Sequence, residues 1–226
     1  VHSVSDRIVR RVDAFLTPAA RMTELFARQG GKASNGAWDP EQLEPLGREI
    51  IGTFDQLAMV NIGTPQGAFV MPKQMPDGSI DTKLIERDGS SPTVRWIRRD
   101  PQGVKQRVEP APFEGYDPRQ RPWYQGALEN EGLYWTDPYL FFTGKIPGVT
   151  AGFPIRAESG ALRAVVGVDI ELKDLSEFLA TLQIGDQGRA AIVNTKGQLI
   201  AHPRFPELAK QAKDTSTIHI SALDDA

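Results

Sequence analysis

The chain has 226 residues, 40% of them hydrophobic and 24% charged, with a formal net charge of -3. That balance is globular and offers no basic face for nucleic acid. The absence of cysteine removes disulfides, thiolate catalysis and cysteine-based metal sites, while leaving the compartment open. No apolar run approaches the roughly 18 residues of a membrane span.

From Val4 to Arg28, Ile8, Val12, Phe15, Met22 and Phe26 recur at three- and four-residue spacing. This predicts a long amphipathic helix, kinked at Pro18. Its apolar stripe serves either packing on the protein's own sheet or dimerisation. After the polar stretch GGKASNG, Asp39 reads as an N-cap with Pro40 at the first helical position. The second helix is expected to run to Phe54 and to bury Leu43, Leu46, Ile50 and Phe54.

From Gln56 the period changes. LAMVNI, GAFVMPK, TKLIER and TVRWIRR alternate with turn-forming clusters, predicting an antiparallel meander of about four strands. Arg95, Arg98 and Arg99 read as the solvated side of a strand. Asp77, Ser79 and Asp81 lack the glycine and final glutamate of a calcium loop in register, so they read as a hairpin turn.

The chemistry-bearing stretch runs from Tyr116 to Asp169. YDPRQRPWY places Tyr116, Arg121, Trp123 and Tyr124 together, with a short helix starting at Asp117–Pro118 or Arg121–Pro122. YWTDPYLFF supplies Tyr134 and Asp137, the latter either an acidic ligand contact or a turn cap before Pro138. Thr143 to Thr150 reads as a flexible link suited to a lid hinge. GVTAGFPI and LRAVVGVDI read as the last strands, with Gly152 and Gly167 leaving space for a ligand or another backbone. Asp169 is a carboxylate in an apolar strand; buried, it requires a cation or donors, because an isolated buried charge is costly. Arg121 meets that need, or a ligand ammonium does, leaving Arg121 for a ligand carboxylate.

These linked motifs, in this order, resemble the membrane-distal module of double Cache (dCache) domains, the extracytoplasmic PAS-like sensors of bacterial receptors. The resemblance runs to about Pro203, where IGDQGRAAIVNTKGQLIAHP is similar to the start of a second, membrane-proximal module. It implies an α+β fold in three parts: a helical stalk over residues 1–55, a PAS-like antiparallel sheet module over 56–182, and a partial second PAS-like module over 183–226. The last part has too few residues for its own core, so it is truncated or completed by residues absent from this chain. Some amino-acid-binding dCache domains carry a similar set of side chains. By that likeness Arg121, Trp123 and Tyr124 hold a ligand carboxylate and Tyr116 and Asp169 its ammonium, with Tyr134 and Asp137 in the loop over the pocket.

The expected partner is a small molecule, an amino acid, amine or carboxylate, sensed by the periplasmic part of an inner-membrane protein. Closure of the 134–150 region over that ligand would shift the helices leading to the membrane. The output, whether cyclase, histidine kinase, chemoreceptor or diguanylate cyclase, lies outside the chain, and a homodimer through the first helix is compatible with it. Neither a cofactor nor a metal is expected. His2, His202 and His219 are far apart in sequence, and there is no nucleophile elbow or phosphate-binding glycine loop, so catalysis in this segment is not expected. The competing reading is a structural or protein-binding ectodomain with Arg121 and Asp169 paired to each other.

Overall fold

The computed structural model describes residues 4–32, 39–87, 91–182, 184, 188–211 and 218–223. Most of the GGKASNG stretch lies outside them. Helix α1 spans Val4–Gly31 with Pro18 inside it. A single 3-10 turn, Pro40–Leu43, capped by the Asp39 carboxylate on Glu41 N, leads into α2, Glu44–Thr53. Leu43 and Ile50 are buried as expected.

Five strands follow as a meander: β1 Met59–Gly63, β2 Phe69–Gln74, β3 Ile80–Glu86, β4 Thr93–Arg99 and β5 Lys105–Ala111. A 3-10 turn at Pro118–Gln120 and helix α3, Pro122–Glu129, carry the chain to β6 Tyr134–Trp135, β7 Tyr139–Leu140, β8 Pro147–Arg156 and β9 Leu162–Glu171. Helix α4 Leu172–Ala180, strands β10 Ile192–Val193 and β11 Leu199–Ala201, helix α5 Phe205–Gln211 and a 3-10 turn at Ile220–Leu223 follow.

The chain forms two compact units, and the boundaries differ from a simple division along the sequence. The larger holds Ala19–Thr136 and Thr150–Asp169; the other holds Val1–Pro18, Asp137–Val149 and Ile170–Ala226.

In the larger unit the strand order is β5-β4-β3-β2-β1-β9-β8-β6, antiparallel where the register is defined. Residues paired across strands face the same side of a sheet, and successive residues alternate. Val60 and Pro72 therefore share the face covered by the helices. A Cβ at Gly47 of α2 would stand 2.9 Å from Pro72 Cγ and 3.7 Å from Phe26 Cζ of α1. Met59, Asn61, Gly63, Lys73, Gly167 and Asp169 belong to the opposite face, by the pairs Met59–Lys73, Met59–Asp169, Asn61–Gly167 and Gly63–Phe69. This second face holds the candidate site.

The arginine cluster on β4 corrects the sequence reading. Arg98 pairs with Asp81 and Glu109, and Arg95 with Glu41 and Glu86. Arg99, its side chain 8% exposed, donates to Glu44 at 2.8 Å. The β4 residues alternate between the two faces, so Arg99 points toward α2, where Glu44 offers the charge that its burial requires.

In the other unit β7 pairs with the start of β8, Tyr139 with Gly148 and Leu140 with Pro147. The turn between them uses positive φ at Gly144 (85°) and Lys145 (52°). The β10–β11 hairpin and α5 bury Leu199, Ala201, Phe205 and Leu208, while α4 buries Leu172, Leu175 and Leu179. His202 is buried there as a strand-end residue, its Nδ1 accepting from Arg204 N at 3.1 Å. Burial holds its pKa below the usual histidine range, consistent with that neutral acceptor.

Candidate functional site

Tyr116 reaches the sheet because its loop is fastened at both sides. Arg87 donates through Nε to Gly67 O and through Nη2 to Tyr116 O, each at 2.9 Å. The Tyr116 ring packs on Phe69 with centroids 4.6 Å apart. Asp117 then caps the 3-10 turn, accepting from Arg119 N at 3.0 Å and pairing with the Arg119 guanidinium at 2.6 Å. Those contacts hold Asp117 below the ordinary carboxylate range. Both proline starts weighed from sequence are used, one for the 3-10 turn and one for α3.

Helix α3 sets Trp123 and Tyr124, buried at 1% and 4% exposure. Their rings meet edge to face, 5.6 Å between centroids. Trp123 lies over a floor of missing side chains. A Cβ at Gly167 would stand 3.0 Å from the indole, one at Gly63 would stand 3.2 Å from it, and one at Gly152 would stand 2.6 Å from Trp123 O. The space left by Gly152 thus takes another backbone, and that left by Gly167 takes the indole. Tyr134, half-buried on β6, packs its ring on Gly126 of α3, where no Cβ could fit.

Asp169 is 2% exposed. Thr150 Oγ1 donates to its Oδ1 at 2.6 Å and Asn61 Nδ2 to its Oδ2 at 2.8 Å. Burial pushes its pKa up to about 6, against the opposing pull of those two hydrogen bonds and of the charges on Lys73 and Arg121. Its hydrogen-bonded support is therefore neutral, and the cations act on it as charges. Tyr116 shares this environment. Its hydroxyl feels Arg121 and Asp169 and is hydrogen-bonded to the Trp123 side chain, whose indole N–H can only donate. Burial, the largest influence, raises the Tyr116 pKa and keeps the phenol protonated.

Tyr116, Arg121, Trp123 and Asp169 are thus brought together, with Tyr124 and Tyr134 packed on α3 beside them. Asp137 belongs to the other unit. It is exposed, accepts from Asn194 Nδ2 at 2.9 Å and forms an ion pair with Lys196, contacts that lower its pKa. Sequence reasoning missed Asn61 and Thr150. The signal was a polar residue within each of two apolar runs, LAMVNI and GVTAGFPI, which a buried strand accepts only where it finds a partner.

Among the described residues no group of histidine and carboxylate side chains could hold a metal ion, and no helix is long and apolar enough to cross a membrane.

An antiparallel sheet with α1 and α2 on one face, and α3 with a polar aromatic cluster on the other, has the PAS-like architecture. Residues 81–177 match the family of methyl-accepting chemotaxis protein-like first PDC sensor domains. It is 39% identical over 102 residues to the chemotaxis protein McpA of Pseudomonas putida, covering 44% of this chain and 16% of that protein. It is 28% identical over 168 residues to adenylate cyclase 1 of Rhizobium meliloti, covering 69% of this chain and 25% of that one. The matched stretches therefore span a quarter or less of these two curated relatives. The fold is similar to that of the ligand-binding domain of the Pseudomonas aeruginosa PAO1 amino acid chemoreceptor PctB in complex with L-Gln. That likeness has a TM-score of 0.63 at 20% identity and covers 97% of this chain and 70% of that one.

Proposed function

We propose that this chain is the extracytoplasmic sensing part of a bacterial membrane receptor and that its larger unit takes a free amino acid. The observation that carries this reading is Asp169, a buried carboxylate supported by neutral donors, with Arg121 close enough to act on the same tyrosine. One acidic and one basic group flanking an aromatic wall match a zwitterion. In this reading Asp169 and Tyr116 hold the ammonium. Arg121, Trp123 and Tyr124 hold the carboxylate, and Tyr134 closes the aromatic side. Asp137 is assigned to the turn it grips rather than to the ligand. The solved PctB domain was captured with L-Gln, which supports the ligand class.

Two charge-assisted contacts of about 1.5–3 kcal/mol each, with aromatic burial, suffice for micromolar affinity, about 8 kcal/mol. Signalling requires that the ligand prefer one conformation of the receptor. The output domain, the membrane anchors and a homodimer formed through α1 belong to the same proposal. Val9, 58% exposed on that helix, is a position for a dimer-breaking Val9→Asp tested by sedimentation.

The test is a thermal-shift screen against amino acids, small amines, carboxylates and nucleobases, repeated with Arg121→Ala and Asp169→Ala. A ligand at about 100 times its Kd stabilises by roughly 2.7 kcal/mol, an upward shift of about 5–10 °C for a chain of this size. A shift from an amino acid that both variants lose supports the site. Stabilisation by a simple carboxylate that survives Asp169→Ala discards the zwitterion, and silence across the library returns the structural reading.

A further inference from the structure

Asp169 has a neighbour whose second polar atom is unspent. Asn61, 4% exposed on β1, gives Nδ2 to Asp169 Oδ2 at 2.8 Å. A carboxylate only accepts hydrogen bonds, so this contact fixes the amide: Nδ2 faces Asp169 and Oδ1 faces away. Oδ1 takes no donor among the described residues, yet none of their side-chain nitrogen or oxygen atoms is both sealed from solvent and unsatisfied. This oxygen of a side chain more than nine-tenths buried therefore borders accessible space. An amide oxygen facing that space offers its acceptor to whatever donor fills it.

We propose that Asn61 contacts the ligand directly, its Oδ1 and Asp169 together forming a two-acceptor seat that selects a primary ammonium over a dimethylated one. The proposal rests on the zwitterion reading of the site. A primary ammonium offers three N–H donors. Asp169 takes one as a charge-assisted bond and Asn61 Oδ1 a second. An N,N-dimethyl amine keeps a single N–H and leaves one acceptor unpaired. Thr150 contrasts with Asn61, because its hydroxyl proton is given to Asp169. Its effect on an amine is expected to pass through that carboxylate.

The groups facing Asp169 are Lys73 from β2, Arg121 from the turn before α3, and Tyr116. Burial keeps Tyr116 protonated between about pH 6 and about pH 8, so comparing those two conditions reports on Asp169.

The experiment is calorimetric titration of the whole chain with the proteinogenic L-amino acids and the N,N-dimethyl derivative of each one that binds. Wild type, Asn61→Leu, Asn61→Asp and Thr150→Val are compared. For Asn61→Leu, affinity for the amino acid falls about tenfold or more at both about pH 6 and about pH 8, and the preference over the dimethyl form shrinks. Thr150→Val recovers toward wild type at the higher pH. Asn61→Asp keeps an acceptor facing the ligand and retains binding at the higher pH, which covers the case in which the leucine variant does not fold. Recovery of Asn61→Leu at the higher pH, or an unchanged preference over the dimethyl form, overturns the contact and leaves Asn61 as a support for Asp169. Failure of every amino acid to bind wild type instead overturns the zwitterion reading beneath it.

Discussion

Burial places the titration of Asp169 in the mildly acidic range. Its pKa lies near 6 in the fold and at about 3.9 in an unfolded chain, so between those values the native state binds more protons. Stability from this group is therefore largest below the unfolded value and is lost as pH rises through about 6. Asp174, also raised to about 6 by burial and by Glu171 and Glu177, contributes with the same sign. The difference between wild type and Asp169→Asn isolates the site. The variant is expected to gain about 1–3 kcal/mol at neutral pH, measured by chemical denaturation, while losing amino-acid binding. Affinity in wild type runs the other way, weakening about tenfold per pH unit below 6 because the ammonium requires the ionised carboxylate. A flat affinity profile across that range would remove Asp169 from the ligand. Gly167 offers a steric counterpart. A methyl there meets the indole and Thr150 Cγ2 at 3.0 Å, so Gly167→Ala is expected to cost about 1–3 kcal/mol and to weaken binding by moving Trp123. A melting temperature and affinity equal to wild type would show that the indole floor yields freely.

At the scale of elements, α2 is held to the sheet by charge as well as by apolar contact. Glu44 accepts from Arg48, Thr82 and Arg99, drawing β3 and β4 onto the helix. Arg99→Met leaves a buried carboxylate with Arg48 and Thr82 alone. Breaking such a pair costs about 3–5 kcal/mol when nothing replaces it, and the surviving partners place this variant at the lower end. The double variant with Glu44→Gln is expected to recover part of the loss, and a double variant no more stable than Arg99→Met would mean that the charge was not the cause. The sequence carried this layer unevenly. Strands β1 to β4 were legible because each buries side chains, and β8 and β9 because glycine and valine runs are bounded by turns. β5 was not, since it is an edge strand with Val108 in solvent and Pro110 within it, features without apolar alternation. Arg99 was misread for a related reason: its partner on α2 is 55 residues away in sequence, beyond any local pattern. In the site, Arg121 and Trp123 stood out in a local motif, whereas Asn61 acquires its role only by pairing with a strand 108 residues further on.

For the whole molecule, the two units carry unequal cores. The larger has eight strands in one ladder order. The β10–β11 sheet has two, of two and three residues. A two-stranded hairpin is marginal without packing; in this one β11, with Leu199 and Ala201 buried, leans on α4, which also meets α5. Its turn is stiffened locally: Asn194 Oδ1 accepts from Lys196 N and Gln198 N, while Asn194 Nδ2 and Lys196 hold Asp137. Asp137 and Lys196 are exposed at 48% and 68% of their side chains, so the ion pair contributes at most about 1 kcal/mol. Native-state hydrogen exchange is therefore expected to run about 100-fold or more faster at residues 192–201 than in β1 and β9, a gap of roughly 3 kcal/mol. Asn194→Ala should widen it while leaving β1 and β9 unchanged. Equal protection in both regions would mean that α4 and the hairpin open only with global unfolding. The expected inequality would instead mark the hairpin as the part of the smaller unit that opens first.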